Sequence, residues 1–162
     1  VSLGQGAALQ TGIDHAVRRG AGHIVTFDGD GRHAPEDIAA LVAALADADV
    51  ALGSRFLGSV EGATRQRMML LRTAVTVSSR LSGLRLSDAR CGLRAFRAEL
   101  APRLRITQHR RAHASELLRK IERAGVRVVE VPCTLRYTAY SSKQGQGGLQ
   151  AVRVLFDYFV RA

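Results

Sequence analysis

A chain of 162 residues with 46% hydrophobic content and a mean hydropathy of −0.01 is long enough for one domain with a buried core and too apolar for wholesale disorder. No apolar run approaches the roughly 18 residues that span a bilayer, and the opening Val1-Ser2-Leu3-Gly4-Gln5-Gly6 lacks a signal-peptide pattern. The net charge of +10, carried almost wholly by arginine, points to phosphate-bearing partners: nucleic acid, nucleotide phosphates or an anionic membrane surface.

Ala8, Leu9, Ile13, Ala16 and Val17 recur at helical spacing from about Gly6 to Arg19, and Gly20 and Gly22 end that helix. Arg18 and Arg19 there, like Arg119 and Arg123 later, read as solvated helix faces. The β-favouring run Ile24-Val25-Thr26-Phe27 then leads straight into Asp28-Gly29-Asp30-Gly31-Arg32-His33-Ala34-Pro35-Glu36-Asp37. Residues at i and i+2 of an extended segment point to one side, so Asp28 and Asp30 aim at a single ion or cluster of hydroxyls, with Gly29 leaving room between them. A hard divalent cation such as Mg²⁺ or Mn²⁺ takes oxygen ligands and commonly accepts only one or two from protein, the others coming from substrate phosphates. Asp-Gly-Asp-Gly also suits an ordinary surface turn. Its place between a strand end and a helix start, where open α/β sheets keep their ligands, favours the functional reading. One histidine, His33, with flanking aspartates lacks the ligand count of a zinc site.

Pro35 opens a second helix with Ile38, Leu41, Val42 and Leu45 inward, and Ala48-Asp49-Val50-Ala51-Leu52-Gly53 reads as the next strand. A mobile loop rich in Gly, Ser and charge is expected from Leu57 to Thr64, then a long helix from about Arg65 to Leu81. The pattern breaks from Ser82 and closes on a short strand, Gly92 to Phe96. A helix from about Ala112 to Ala124 is capped by Gly125 and followed by a strand, Val126 to Val131. In the tail, Leu149 to Val160, an apolar stripe of Val152, Leu155, Phe156 and Phe159 opposes Arg153, Asp157 and Arg161. It suits either a lipid interface or packing on the domain. Cys91 and Cys133 lack metal-ligand spacing and read as reduced thiols of a cytosolic protein. With no repeat or linker, residues 1–162 form a single α/β domain.

Several blocks occur in a telling order: Gly4-Gln5-Gly6-Ala7-Ala8-Leu9, Asp28-Gly29-Asp30 with His33-Ala34-Pro35-Glu36-Asp37, Gly53-Ser54-Arg55-Phe56, Asp88 with Cys91-Gly92-Leu93-Arg94-Ala95-Phe96, Glu130-Val131-Pro132, and Ser142-Lys143. Together they resemble family 2 glycosyltransferases of the GT-A fold, and within it the enzymes that load a sugar onto a polyprenyl phosphate, such as dolichyl-phosphate mannosyltransferases. The resemblance implies an α/β, GT-A-like and Rossmann-related domain whose mostly parallel sheet is flanked by helices, with 148–162 as an interfacial amphipathic helix. Relatives begin with a strand carrying a Pro-x-x-Asn-Glu type motif and two further strand-helix steps that bind base and ribose. This chain starts after them, so the resemblance implies an N-terminally truncated, partial domain that a missing segment or a partner chain would complete.

The activity so implied is inverting transfer of a sugar from a nucleotide sugar to a polyprenyl phosphate, assisted by Mg²⁺ or Mn²⁺ held at Asp30 and Asp28. Relatives usually carry Gln where this chain has Arg32, which puts a fixed positive charge near the ion. Asp88 matches the family's general base on the acceptor, although on local grounds it also suits a turn cap. Arg55 and Arg94 resemble arginines that face phosphate, and Lys143 matches a Ser-Lys before a membrane-facing helix. Glu116, in Ala114-Ser115-Glu116-Leu117-Leu118, matches a Glu-Leu-Leu of relatives or merely solvates its helix. The implied partners are the nucleotide sugar, the polyprenyl phosphate and a membrane surface, not nucleic acid, with the protein peripheral at the cytoplasmic membrane face. Two rivals stand beside this reading. One is a basic nucleic-acid-binding module, disfavoured by an aromatic content of only 5% for base stacking. The other is a non-catalytic remnant or assembly subunit of the same fold.

Overall fold

A computed structural model of the protein describes residues 4–62, 68, 69, 72, 86–108 and 113–137. Helix α1 (Gln5–Arg18) leads to strand β1 (His23–Thr26), helix α2 (Asp37–Ala44) and the long strand β2 (Val50–Glu61). Strand β3 (Arg94–Arg97), a 3₁₀ turn (Ala98–Leu100), helix α3 (His113–Ala124) and strand β4 (Val128–Arg136) follow. Both α1 and α3 stop at a glycine in the left-handed region, Gly20 (φ 78°) and Gly125 (φ 61°), where a side chain would be strained.

The four strands form one sheet in the order β1-β3-β2-β4. By pairs the sheet is mostly antiparallel, since β3 runs against both β1 and β2, and only β2 and β4 pair in parallel. The α/β class stands, and β1, β2 and β4 all point the same way. The expected mostly parallel pairing is broken by the single reversed strand β3, inserted between β1 and β2.

Alternation along the strands sends side chains to two cores. Ile24, Val50, Leu52 and Phe96 pack with Ile13 of α1 and Leu117 and Ile121 of α3, whereas Ala51, Ala95, Val131 and Cys133 pack with Leu41 and Leu45 of α2. Both faces are thus covered by helices, which is why these strands read as nearly continuous apolar runs.

Two strands outrun their sequence signals. The segment from Leu57, expected as a loop, continues β2 as far as Glu61, and β4 runs past Pro132 to Arg136. One irregularity explains both. Between Ser54 and Ser59 β2 advances five residues while β4 advances two, from Pro132 to Thr134. The resulting bulge lies where Pro132 has no N–H to give, so the proline is tolerated and the ladder resumes beyond it. Gly58 sits in the bulge, where an added Cβ would strike the Cys133 carbonyl oxygen and come within 2.6 Å of its nitrogen. Gly58→Ala is expected to cost about 3 kcal/mol in urea unfolding, because backbone cannot yield as a side chain can; a change under about 0.5 kcal/mol would contradict this packing.

Candidate active site

The C-terminal ends of β1, β2 and β4 and the start of β3 meet at one end of the sheet, and the predicted carboxylates gather there. After Thr26 the chain leaves β1 at one edge and crosses to β4 at the other, where His33 bridges Leu135 and the Arg136 N–H donates to the Arg32 carbonyl oxygen at 2.8 Å. The Thr134 N–H also donates to Asp37 Oδ2 at 2.7 Å, fixing the far end of the segment. Asp28 and Asp30 are therefore carried over the sheet end on a loop tied at both sides.

Their oxygens converge on one cation. Arg32 Nε lies 2.6 Å from Asp30 Oδ2, and Arg32 Nη2 lies 3.8 Å from Asp28 Oδ2. His33 approaches from beneath, its Nε2 3.6 Å from Asp28 Oδ2 and its Nδ1 buried without a hydrogen-bond partner among the described residues. The Asp28 carboxyl is held below the usual carboxylate range, first by the His33 side chain, against an opposing push from burial, with Arg32 and Arg94 adding to the pull. Asp28 fits only because residue 92 is glycine: a Cβ there would stand 2.7 Å from Asp28 Oδ2. Two hard carboxylates, half-exposed and closed about a positive charge, suit a divalent cation that draws its remaining ligands from phosphate and water. No cluster of three or more His, Cys, Asp or Glu side chains that could enclose a metal occurs among the described residues.

A second constellation adjoins the first. Asp88, with a side chain wholly shielded from solvent, accepts from Arg55 Nε at 2.5 Å, Arg55 Nη2 at 3.3 Å, the Arg55 N–H at 3.1 Å and the Arg90 N–H at 3.2 Å. Arg55 lies in the β2 bulge, which turns its guanidinium out of the ladder and toward Asp88. Burial works against its charge, but Asp88 outweighs burial and raises the Arg55 pKa above the ordinary value. The Phe56 ring has Arg55 at 5.9 Å and Arg72 at 5.6 Å, so two guanidinium groups flank it. Asp88 itself is seated by Glu130 of β4, which accepts from the Ser87 N–H at 2.8 Å, Ser87 Oγ at 2.9 Å and the Asp88 N–H at 3.0 Å.

The profile of the family "Glycosyl transferase family 2" matches residues 2–105, well over half of the chain. The chain belongs to glycosyl transferase family 2. It is 33% identical over 166 residues to the polyprenol monophosphomannose synthase of Mycolicibacterium smegmatis, covering 98% of this chain and 63% of that protein. It is 29% identical over 164 residues to the UDP-N-acetylglucosamine–dolichyl-phosphate N-acetylglucosaminyltransferase of Methanococcus voltae, covering 94% of this chain and 63% of the relative. The undecaprenyl-phosphate mannosyltransferase of Micrococcus luteus is 28% identical over 151 residues, with 90% and 62% covered. The chain thus spans less than two thirds of the length of each of these three relatives.

Within this family 2 domain the other predicted residues separate. Arg94 is buried, and its guanidinium is spent on backbone carbonyls, Nε donating to Cys91 O at 2.9 Å and Nη1 to Ala114 O at 3.5 Å. Burial lowers its pKa, and the electrostatic pull of Cys91, then of Asp28 and Asp88, partly offsets that. Instead of presenting itself to an incoming phosphate, it ties β3 to the Asp88 turn and to α3. Glu116 is structural as well: its oxygens accept from the Thr107 N–H, Thr107 Oγ1, the Gln108 N–H and Lys120 Nζ, lashing the segment before α3 onto the helix. Cys91 and Cys133 are buried free thiols with sulfurs 3.7 Å apart. Lys143 and the tail 148–162 lie outside the described residues, as do most of the expected helix from Arg65 to Leu81. Among the described residues no helix is long and apolar enough to cross a membrane.

Glu116 makes a testable contribution to acid stability. Burial pushes its carboxyl up, but the bonds from Lys120, Thr107 and Gln108 outweigh burial and bring it down to about 2 from 4.5. A depressed folded pKa stabilises above the unfolded value, and that stability drains away as pH falls from about 4.5 toward about 2. Glu116→Gln is expected to lower stability at pH 7 and to flatten this part of the acid limb. Identical limbs in pH-resolved thermal melts would contradict the assignment.

Glu130, Ser87, Ser54 and Gly92 support the site without having been singled out for a role in the sequence. The signal for Glu130 was available: it is the one acid in the otherwise apolar run Val128-Val129-Glu130-Val131, where a carboxylate needs a reason.

Proposed function

We propose that this family 2 domain transfers a sugar from a nucleotide sugar to a polyprenyl phosphate, by a single in-line displacement that inverts the anomeric centre. The observation that carries the reading is the meeting, at one sheet end, of an acidic pair closed on a cation with a buried, carboxylate-oriented arginine. The relatives' names supply the substrate class, since they act on polyprenol, dolichyl and undecaprenyl phosphates. In this reading Asp28 and Asp30 would hold Mg²⁺ or Mn²⁺, which would supply positive charge against the charge that builds on the departing nucleoside diphosphate. Arg55, fixed by Asp88, faces the acceptor phosphate and offsets the repulsion between two anionic substrates. The acceptor brings its own anionic oxygen. Asp88 is left with orienting work and at most a residual proton to take. A lipid-borne acceptor places the protein peripherally at a membrane face, the cytoplasmic one being where nucleotide sugars are expected.

Arg32 sits against both carboxylates that would hold the metal ion, so its charge would compete with the ion. Arg32→Gln removes that fixed charge and is expected to tighten Mn²⁺ binding about tenfold. The test is calorimetric titration of the chain with Mn²⁺ and a nucleoside diphosphate, followed by a transfer assay with a panel of nucleotide sugars and a short prenyl phosphate. The reading expects diphosphate binding that requires the metal and a prenyl-phosphate sugar as product. Metal-independent binding left unchanged by Arg32→Gln would contradict it.

A further inference from the structure

We propose that Glu130 is a positioning residue for the Arg55 guanidinium, acting through the Ser87–Asp88 turn. Glu130 lies on β4, whereas Arg55 lies in the β2 bulge and Asp88 on the connection into β3, so three separate segments are joined through one carboxylate. Among the described residues the three donors that Glu130 accepts belong to Ser87 and Asp88, and the next carboxylate along, Asp88, spends three of its four bonds on Arg55.

A chain of hydroxyls runs in parallel and has a single direction. Glu130 as a carboxylate can only accept, so Ser87 Oγ gives it its proton. Ser54 Oγ, 2.6 Å from Ser87 Oγ, must therefore donate to Ser87, and it accepts from the Leu57 N–H at 3.3 Å. Ser54 directly precedes Arg55, so two adjacent residues at the start of the bulge are tied to Glu130, Ser54 through hydroxyls and Arg55 through Asp88. The arrangement is specific for a carboxylate. The amide of Gln would set its own N–H₂ against either the Ser87 N–H or the Asp88 N–H, leaving a buried donor unanswered. Among the described residues Glu130 bonds to Ser87 and Asp88 and makes no hydrogen bond or ion pair with Asp28, Asp30 or Arg55, so its effect is transmitted through the turn. That this guanidinium meets a phosphate rests on the function proposed above.

The test has two independent readouts on the 162-residue chain. The first is the ¹H–¹⁵N signal of Arg55 Nε, assigned by its loss in Arg55→Lys. In the native protein it is expected to be shifted downfield and slow to exchange. In Glu130→Gln it should move toward the position of free arginine, while core amides such as those of Val50 to Leu52 stay in place. The second is the affinity for citronellyl phosphate, expected to weaken about tenfold in Glu130→Gln and to fall no further in the double variant with Arg55→Lys than in Arg55→Lys alone. Should Glu130→Gln fail to fold, Ser87→Ala removes one of the three bonds and is expected to shift the same Arg55 signal to a lesser degree. An Arg55 signal unmoved in whichever of these variants folds, or fully additive affinity losses, would overturn the proposal. If the native chain binds no prenyl phosphate, the functional reading fails and the Arg55 signal alone still decides the positioning role.

Discussion

Asp88→Ala is expected to destabilise the domain by about 3–5 kcal/mol, the usual cost of stripping one partner from a buried ion pair. The magnitude follows from what is left behind. Arg55, with only 10% of its side chain exposed, would keep its charge and lose the one carboxylate it pairs with among the described residues, and the Arg90 N–H would lose its bond to Asp88. Replacing the pair together, as Asp88→Leu with Arg55→Met, is expected to cost less than Asp88→Ala alone, because no charge is then stranded. A urea-unfolding cycle over the four proteins measures both statements. If Asp88→Ala melts within about 0.5 kcal/mol of the native protein, the ion pair does not exist in solution as described.

The acidic pair predicts the opposite separation of stability from function. Asp28→Asn with Asp30→Asn is expected to weaken metal-dependent binding of a nucleoside diphosphate by about a hundredfold or more, since a divalent cation keeps few protein ligands and both would be neutral. Stability should change by less than about 1 kcal/mol, because these carboxylates are about 30% exposed and their pairs with Arg32 are partly solvated. Large unfolding losses with unchanged diphosphate binding would mark the pair as a structural turn.

How much of this was legible in the sequence follows from the range of each interaction. Helices α1, α2 and α3 and strand β1 were readable, because each is specified by periodicity and end signals within a dozen residues. The full length of β2 was not, since Gly58, Ser59 and Glu61 interrupt the apolar pattern of its second half, which becomes a strand only because Ser59 to Glu61 find Thr134 to Arg136. Pro132 read as a strand end for a sound local reason, and only the bulge on the neighbouring strand removes that reason. The reversed direction of β3 carries no sequence mark at all. Arginines were the hardest to read. Gly-Ser-Arg and Gly-Leu-Arg look alike, yet Arg55 is paired with a carboxylate 33 residues away and Arg94 with two carbonyls deep under the site. Which of them meets a phosphate depends on burial that only the packed sheet creates.

Paramagnetic broadening by Mn²⁺, recorded on the ¹⁵N-labelled chain with a nucleoside diphosphate present, tests the whole account most directly. It predicts that amides of Asp28 to Arg32 and of Gly92 are erased first, that those of α3 persist, and that the pattern disappears in the Asp28→Asn, Asp30→Asn protein. Broadening centred elsewhere, or unchanged by that double substitution, would contradict it.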